Sequence, residues 1–227
     1  MNYVFHFNVV LDHWRELVEG AWLTVRLSAL AMIVGFAVAT LCTYARAAAP
    51  GPVRWLVGAY VEVIRNTPFL VQIFIIYFSI PALGVRVGAN EAALTAMAIN
   101  FGAYGTEILR AGIESVPQGQ IDAGRALGLS RLNIFRFIVF YPAIRTVFPA
   151  LASQFILLML GSSVVSAISA VELTAVANSL QSTTFRPFEF YFVTTAMYLA
   201  MALGFRTLLG GIYWTVFVRN RPSLGIR

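Results

Sequence analysis

Lysine is absent from the 227 residues, cysteine occurs once, histidine twice, and only 11% of the chain is charged. Each shortage excludes something. Without lysine the phosphate loop GxxxxGK[ST] cannot be built, so the chain does not hydrolyse ATP through that motif. The lone Cys42, set in an apolar run, supports neither a disulfide framework nor a thiolate metal cluster. His6 and His13 stand near the N-terminus with no further ligand at metal spacing, so no metal is expected. No nucleophile, base and metal-ligand set has recognisable spacing, so no catalytic residue is nominated and the chain is not expected to be an enzyme.

What is present is apolar. Hydrophobic residues make up 59% of the chain and the mean hydropathy is +0.77. A soluble domain carries about 25% charged residues, so a bilayer is the natural solvent here. All 16 positive residues are arginine, and 10 acids leave a formal charge of +6. Those arginines are scattered between apolar runs, with no aromatic-interleaved basic surface, so no nucleic acid is expected as a partner.

The apolar runs predict an all-α membrane protein of five transmembrane helices in a single domain over 1–227. The spans fall at about 21–44, 55–81, 90–113, 146–171 and 188–217, each near the roughly 20 residues a bilayer requires. Pro68 should weaken or kink the second. The opening stretch carries Asp12, Arg15, Glu16 and Glu19 and does not read as a cleavable signal, so the first span is expected to be retained. One set of connections holds Arg15, Arg86 and Arg186. The other holds Arg46, Arg54, Arg110, Arg125, Arg131, Arg136, Arg145, Arg219, Arg221 and Arg227. The positive-inside rule makes the second set cytoplasmic, with the N-terminus outside and the C-terminus inside. No repeat or long linker divides the chain.

The largest polar insertion, about 114–145, lies on the predicted cytoplasmic side. Within it, Gln118 to Ser130 reads as a short amphipathic helix with charge on one face and Ile121, Ala126 and Leu127 on the other, suited to a soluble partner.

The run Asp122-Ala123-Gly124, with Gly128 four residues on, then Ile138 and Pro142, resembles the cytoplasmic signature loop of type I ABC importer permeases. Ile64-Arg65-Asn66-Thr67-Pro68-Phe69-Leu70-Val71-Gln72, Gly102 through Ile113, Glu172-Leu173-Thr174, and Thr184-Phe185-Arg186-Pro187-Phe188-Glu189 are similar to the polar amino acid branch of that family, the histidine/glutamine/arginine type. The resemblance covers most of the chain in the family's order. It implies a permease subunit that binds no cofactor itself. Its partners would be ABC ATPase subunits using ATP and Mg, a second permease subunit, identical or sibling, an external solute-binding protein, and membrane lipid, in a bacterial inner membrane. It implies that Asp122, Ala123, Gly124, Ala126, Leu127 and Gly128 couple the permease to the ATPase.

Three departures stand out. Asp122 replaces the usual glutamate, Gly124 replaces the second alanine, and the proline after the Ile-x-Leu stretch is delayed to Pro142. The fourth span reads Leu158-Met159-Leu160-Gly161-Ser162-Ser163 where the family commonly has a Lys-Asp or Lys-Asn pair, so no charged solute contact carries over there. Polar groups at membrane depth nominate Asn66, Thr67, Gln72, Asn100, Gln154, Ser162 and Ser163 for the path of an amino-acid-type solute. The same residues can instead bond backbone carbonyls or stitch helices together. Glu62 with Arg65 and Glu107 with Arg110 have the spacing of helical ion pairs. A stand-alone secondary transporter or channel is the rival reading, but five unequal spans offer no inverted repeat or ionisable relay.

Overall fold

A computed structural model describes residues 3–82 and 84–219. After a short α1 (Asn8–Asp12), α2 (Trp14–Ala48) runs for 35 residues, about 52 Å at the rise of an α-helix. It stops at Ala49 and Pro50, and α3 (Gly51–Arg65) starts with Pro52 in its first turn, where a missing N–H costs nothing. α4 (Phe69–Ala82) follows at 113° to α3. The sharp turn has a local cause: Pro68 has no N–H and drives Thr67 out of the helical region.

α5 (Ala89–Glu114) is the central helix, packed on α2, α3, α4 and α8. Lipid supplies no hydrophobic force between helices, so the contact depends on small residues letting backbones approach. A Cβ on Gly35 would come within 2.9 Å of the Ala98 carbonyl, and one on Gly105 within 2.8 Å of Ala39 Cβ. Around these lie Phe101, Met97, Ile73 and Val165, all fully buried.

The loop after α5 holds α6 (Gln118–Ala126). The chain then continues from α7 (Arg131–Asn133) through a π-helical stretch (Ile134–Phe140) into α8 (Tyr141–Gly161), and ends in a tight helical segment, Ser162–Ile168. Pro142 cannot donate to the carbonyl four residues back, which accounts for irregular winding just before it. α9 (Leu173–Thr184) and α10 (Pro187–Tyr213, continued to Val218) complete the described chain.

Trp14–Ala48, Arg131–Ile168 and Pro187–Val218 are long and apolar enough to cross a membrane, and the bent pair α3 and α4 makes a fourth candidate. α5 would reach about 39 Å, but it is rich in Ala and Gly and carries charge near both ends. The helices extend beyond the sequence-predicted bounds at several ends. The second predicted span divides at Asn66 to Pro68, and the fourth loses α-helical winding after Gly161. Arg221 and Arg227, counted above for topology, lie outside the described residues.

A second, smaller core joins Val10, Leu17, Leu173, Ala177, Leu180 and Phe190. Glu172 sits fully buried at the start of α9 and accepts hydrogen bonds from the Ala175 backbone N–H (2.7 Å) and the Tyr198 hydroxyl. Thr24 of α2 accepts from the Leu173 backbone N–H at 3.0 Å. Thus α9 is tied to both α2 and α10.

Candidate functional site

Three arrangements on the described chain combine polarity with position. The first is α6. Gly124 is the only fully buried residue of this helix, and it lies against the π-helical stretch: a Cβ there would meet Ile138 Cδ1 at 2.5 Å and Ile134 Cγ1 at 3.3 Å. The helix ends in a Schellman turn. The Leu129 N–H bonds the Gly124 carbonyl at 3.1 Å, the Gly128 N–H bonds the Arg125 carbonyl at 3.0 Å, and Gly128 takes φ +73°. Only a residue without Cβ enters that conformation cheaply.

Asp122 is engaged locally, by Arg125 Nη1 at 2.9 Å and Gln118 Nε2 at 3.1 Å. Ala123, Ala126 and Leu127 point away from the chain, and Leu127 is 79% exposed. Ala126 and Leu127 form the outward face, and Gly124 makes the contact with the body. The short side chain lets α6 seat deeply while presenting an apolar surface outward.

The second arrangement spans the α3–α4 break. Gln72 Nε2 donates to the Ile64 carbonyl (2.7 Å), the Thr67 carbonyl (3.0 Å) and Thr67 Oγ1 (2.9 Å). Its Oε1 accepts from Asn100 Nδ2 of α5 at 2.9 Å. The Ile64 carbonyl, which Pro68 has no N–H to serve, is thereby satisfied together with that of Thr67, and a buried orphan would be costly. Beside this brace is a cavity of about 270 Å³ bordered by Thr67, Asn100, Tyr104, Gln154 and Gly161, with Phe69 and Leu157 among its apolar walls. No charged side chain lines it. Among the described residues the Gln154 amide and the Tyr104 hydroxyl form no hydrogen bond, so both are free for a guest.

Of the seven predicted pathway residues, Thr67, Asn100 and Gln154 therefore meet at one cavity, and Gln72 braces two of them. Asn66 is exposed and bonds back to Glu62, at its carbonyl (2.8 Å) and at Oε2 (3.0 Å). Ser162 is buried and donates to the Met159 carbonyl, and Ser163 donates to the Leu160 carbonyl. Those three act within their own helices and do not border this cavity.

The third arrangement centres on Glu107 of α5. It accepts from Arg46 of α2 and from Arg110 (2.7 Å), and lies 3.8 Å from Arg65 of α3. Arg110 also binds Glu114 at 2.6 Å. The expected Glu107–Arg110 pair is present, whereas Glu62 and Arg65 do not pair. Arg65 turns to Glu107 and lies 5.6 Å over the Tyr104 ring, and Glu62 holds Asn66. Sequence spacing missed the Arg46 contact because the two residues are 61 apart. Among the described residues no three His, Cys, Asp or Glu side chains gather at metal-ligating distance.

Comparison with known proteins gives a consistent result. The family described as binding-protein-dependent transport system inner membrane component matches residues 31–213. The nopaline transport system permease protein of Agrobacterium fabrum is 33% identical over 227 residues, covering 96% of this chain and 94% of its own. The glutamine transport system permease protein of Escherichia coli K12 is 33% identical over 189 residues, covering 82% and 86%. A solved amino acid ABC transporter with histidines superposes with a TM-score of 0.86 at 33% identity, covering 94% of this chain and all of that one. An inward-facing methionine ABC transporter shares the fold, with a TM-score of 0.74 at 19% identity.

Proposed function

This chain belongs to the binding-protein-dependent transport system inner membrane component family, and from that premise we propose how its parts divide the work of amino acid import. It is an inner-membrane permease subunit of an ABC importer for amino acids. Five spans cross the bilayer, α3 and α4 together forming the second and α5 the third, with the N-terminus outside. Two such subunits, identical or sibling, form the pathway, and a solute-binding protein delivers to its outer mouth. The subunit is not catalytic: partner ATPases use ATP and Mg, and their closure moves the helices between inward and outward access.

The observation that carries this reading is α6. A nine-residue helix anchored by Gly124, closed by Gly128 and exposing Ala123, Ala126 and Leu127, is a knob whose apolar face has no cover among the described residues. A groove on a partner ATPase supplies that cover, and Asp122 and Arg125 form its polar rim. Because Gly124 rests on Ile134 and Ile138 of the same helical run that becomes α8, movement of the knob is passed directly to a membrane helix.

The cavity at Thr67, Asn100, Tyr104 and Gln154 is the candidate solute contact. Amide and hydroxyl groups without a net charge suit a zwitterionic amino acid whose side chain is polar and uncharged. They offer a cationic side chain no counter-ion.

The test is co-purification of the ATPase from detergent-solubilised membranes. Leu127→Arg keeps the Gly124 anchor and is expected to lose the ATPase subunit without loss of expression or thermal stability. Gly124→Arg would disturb the permease's own packing and makes a poorer probe. A wild-type chain that brings down no ATPase under complex-preserving conditions would return weight to a stand-alone transporter.

A further inference from the structure

Two neighbouring cavities near the α2–α3 turn play no part in the function above. One is an apolar slot of about 250 Å³ between α2, α5 and the π-helical stretch, walled by Leu41, Tyr44, Leu109, Phe135, Phe140 and Ile144. The other is a cavity of about 330 Å³ bordered by Arg46, Arg54, Arg110 and Glu114. Thr43, Ala47 and Ile113 line both, so the slot and the basic cavity adjoin across these three residues.

The two halves differ in chemistry as the two halves of a lipid do. Leu41 and Tyr44 are 68% and 63% exposed, so the slot opens on the outer side of α2. From Leu41 to Ala47 it follows the helix for roughly 9 Å. At its end stand Arg46, Arg54 and Arg110, which together with Arg65 face only Glu114 and the underlying Glu107, a surplus of two positive charges. Among the described residues the Arg54 side chain has no carboxylate partner, and its one hydrogen bond, to the Ala49 carbonyl, is 3.4 Å. A headgroup phosphate would complete what Glu107 and Glu114 leave unbalanced.

We propose that this composite site binds one anionic phospholipid of the inner leaflet, its phosphate held by Arg54 with Arg46 and Arg110 and one acyl chain in the slot. The inference rests on the inner-leaflet placement of the α2–α3 turn proposed above but not on the transport reading. The slot also backs the coupling element. Phe135 and Phe140 form part of its wall, and Ile134 and Ile138 of the same π-helical stretch carry Gly124 of α6. A seated acyl chain therefore stiffens the stretch through which α6 acts.

The experiment is lipid titration of the purified complex, delipidated in detergent, followed by native mass spectrometry and thermal unfolding. Phosphatidylglycerol, phosphatidylcholine and inorganic phosphate are compared. The expected result is saturable binding and a raised melting temperature with phosphatidylglycerol alone. Arg54→Ala should weaken that binding by about fivefold. Ala47→Phe, an exposed position at the junction of the two cavities, should abolish it without lowering stability in lipid-free detergent. Equal response to phosphatidylcholine, or a response to phosphate alone, overturns the proposal, as does unchanged affinity in both variants. Loss of the ATPase subunit from Arg54→Ala, with lipid binding intact, would assign the basic cavity to a protein contact instead. Because binding is read without transport, failure here leaves the importer reading standing, and an absent ATPase leaves this one testable.

Discussion

The brace around Gln72 and the ionic knot around Glu107 are only seven residues, about 10 Å of helix, apart on α5, yet they are made of different materials. The brace uses amides and a hydroxyl to satisfy carbonyls at a broken helix and borders an uncharged cavity. The knot gathers three arginines around one carboxylate, and its side chains are 17% to 38% exposed. Neutral groups can be enclosed once hydrogen-bonded, whereas a charge needs both partners and access to water. Charge is thus used to lock α2, α3 and α5 together near one end of α5, while the cavity beside the break stays free of fixed charge.

The largest effect is expected from breaking the knot. Glu107→Ala leaves Arg46, Arg65 and Arg110 crowded without their common anion. It should cost about 2–3 kcal/mol, below the fully buried limit because water reaches the arginines. Thermal unfolding of the purified complex checks it. Arg65→Ala, at 3.8 Å from Glu107, should cost under about 1 kcal/mol in the same assay. Equal losses from the two substitutions would show that the knot is a diffuse field and not a centre at Glu107.

Breaking the brace comes next. Gln72→Leu fills similar space but leaves the Ile64 and Thr67 carbonyls without a donor, for about 1–3 kcal/mol. Uptake should fall as well, because Thr67 and Asn100 lose the contact that sets them at the cavity. Gln154→Ala removes no internal hydrogen bond, so it should reduce uptake with little change in melting temperature. A stability loss as large as that of Gln72→Leu would place Gln154 with the brace.

Glu172 offers a third case, a carboxylate fully buried without an arginine. Burial pushes its pKa above the usual carboxylate range, and the Tyr198 hydroxyl and the Thr174 and Ala175 backbone N–H groups only partly offset this. The folded state therefore holds the proton more tightly than the unfolded chain. The resulting stability is complete below the ordinary carboxylate pKa and lost as pH rises through the raised value. Glu172→Gln should flatten that pH dependence of unfolding. The smallest effect is expected from Asn66→Ala, under about 0.5 kcal/mol, because its amide bonds only the exposed end of its own helix.

Much of this was legible along the chain. Apolar runs identified the long helices and Pro68 the break, because each signal is carried by residues close in sequence. Thr67, Asn100 and Gln154 were nominated from polarity alone, and they do share a cavity. Polarity could not separate them from Ser162 and Ser163, whose hydroxyls turn to backbone carbonyls in their own helical turn. The inward contact of α6 left no hydropathic signal, because it is a glycine's missing side chain that lets the helix rest on Ile138.

By itself the sequence determined the solvent, the helical class and the family resemblance, since hydropathy, proline and ordered motifs are properties of neighbouring residues. Tertiary structure alone decided that Arg46 meets Glu107, that Gln72 reaches Asn100, and that an apolar slot lies beside a basic cavity at Ala47. Those contacts depend on how each helix is rotated about its axis. A helix apolar on nearly every side carries little record of that rotation, because lipid accepts any apolar face. It is set by the close approach of small residues such as Gly35 and Gly105 to the neighbouring helix.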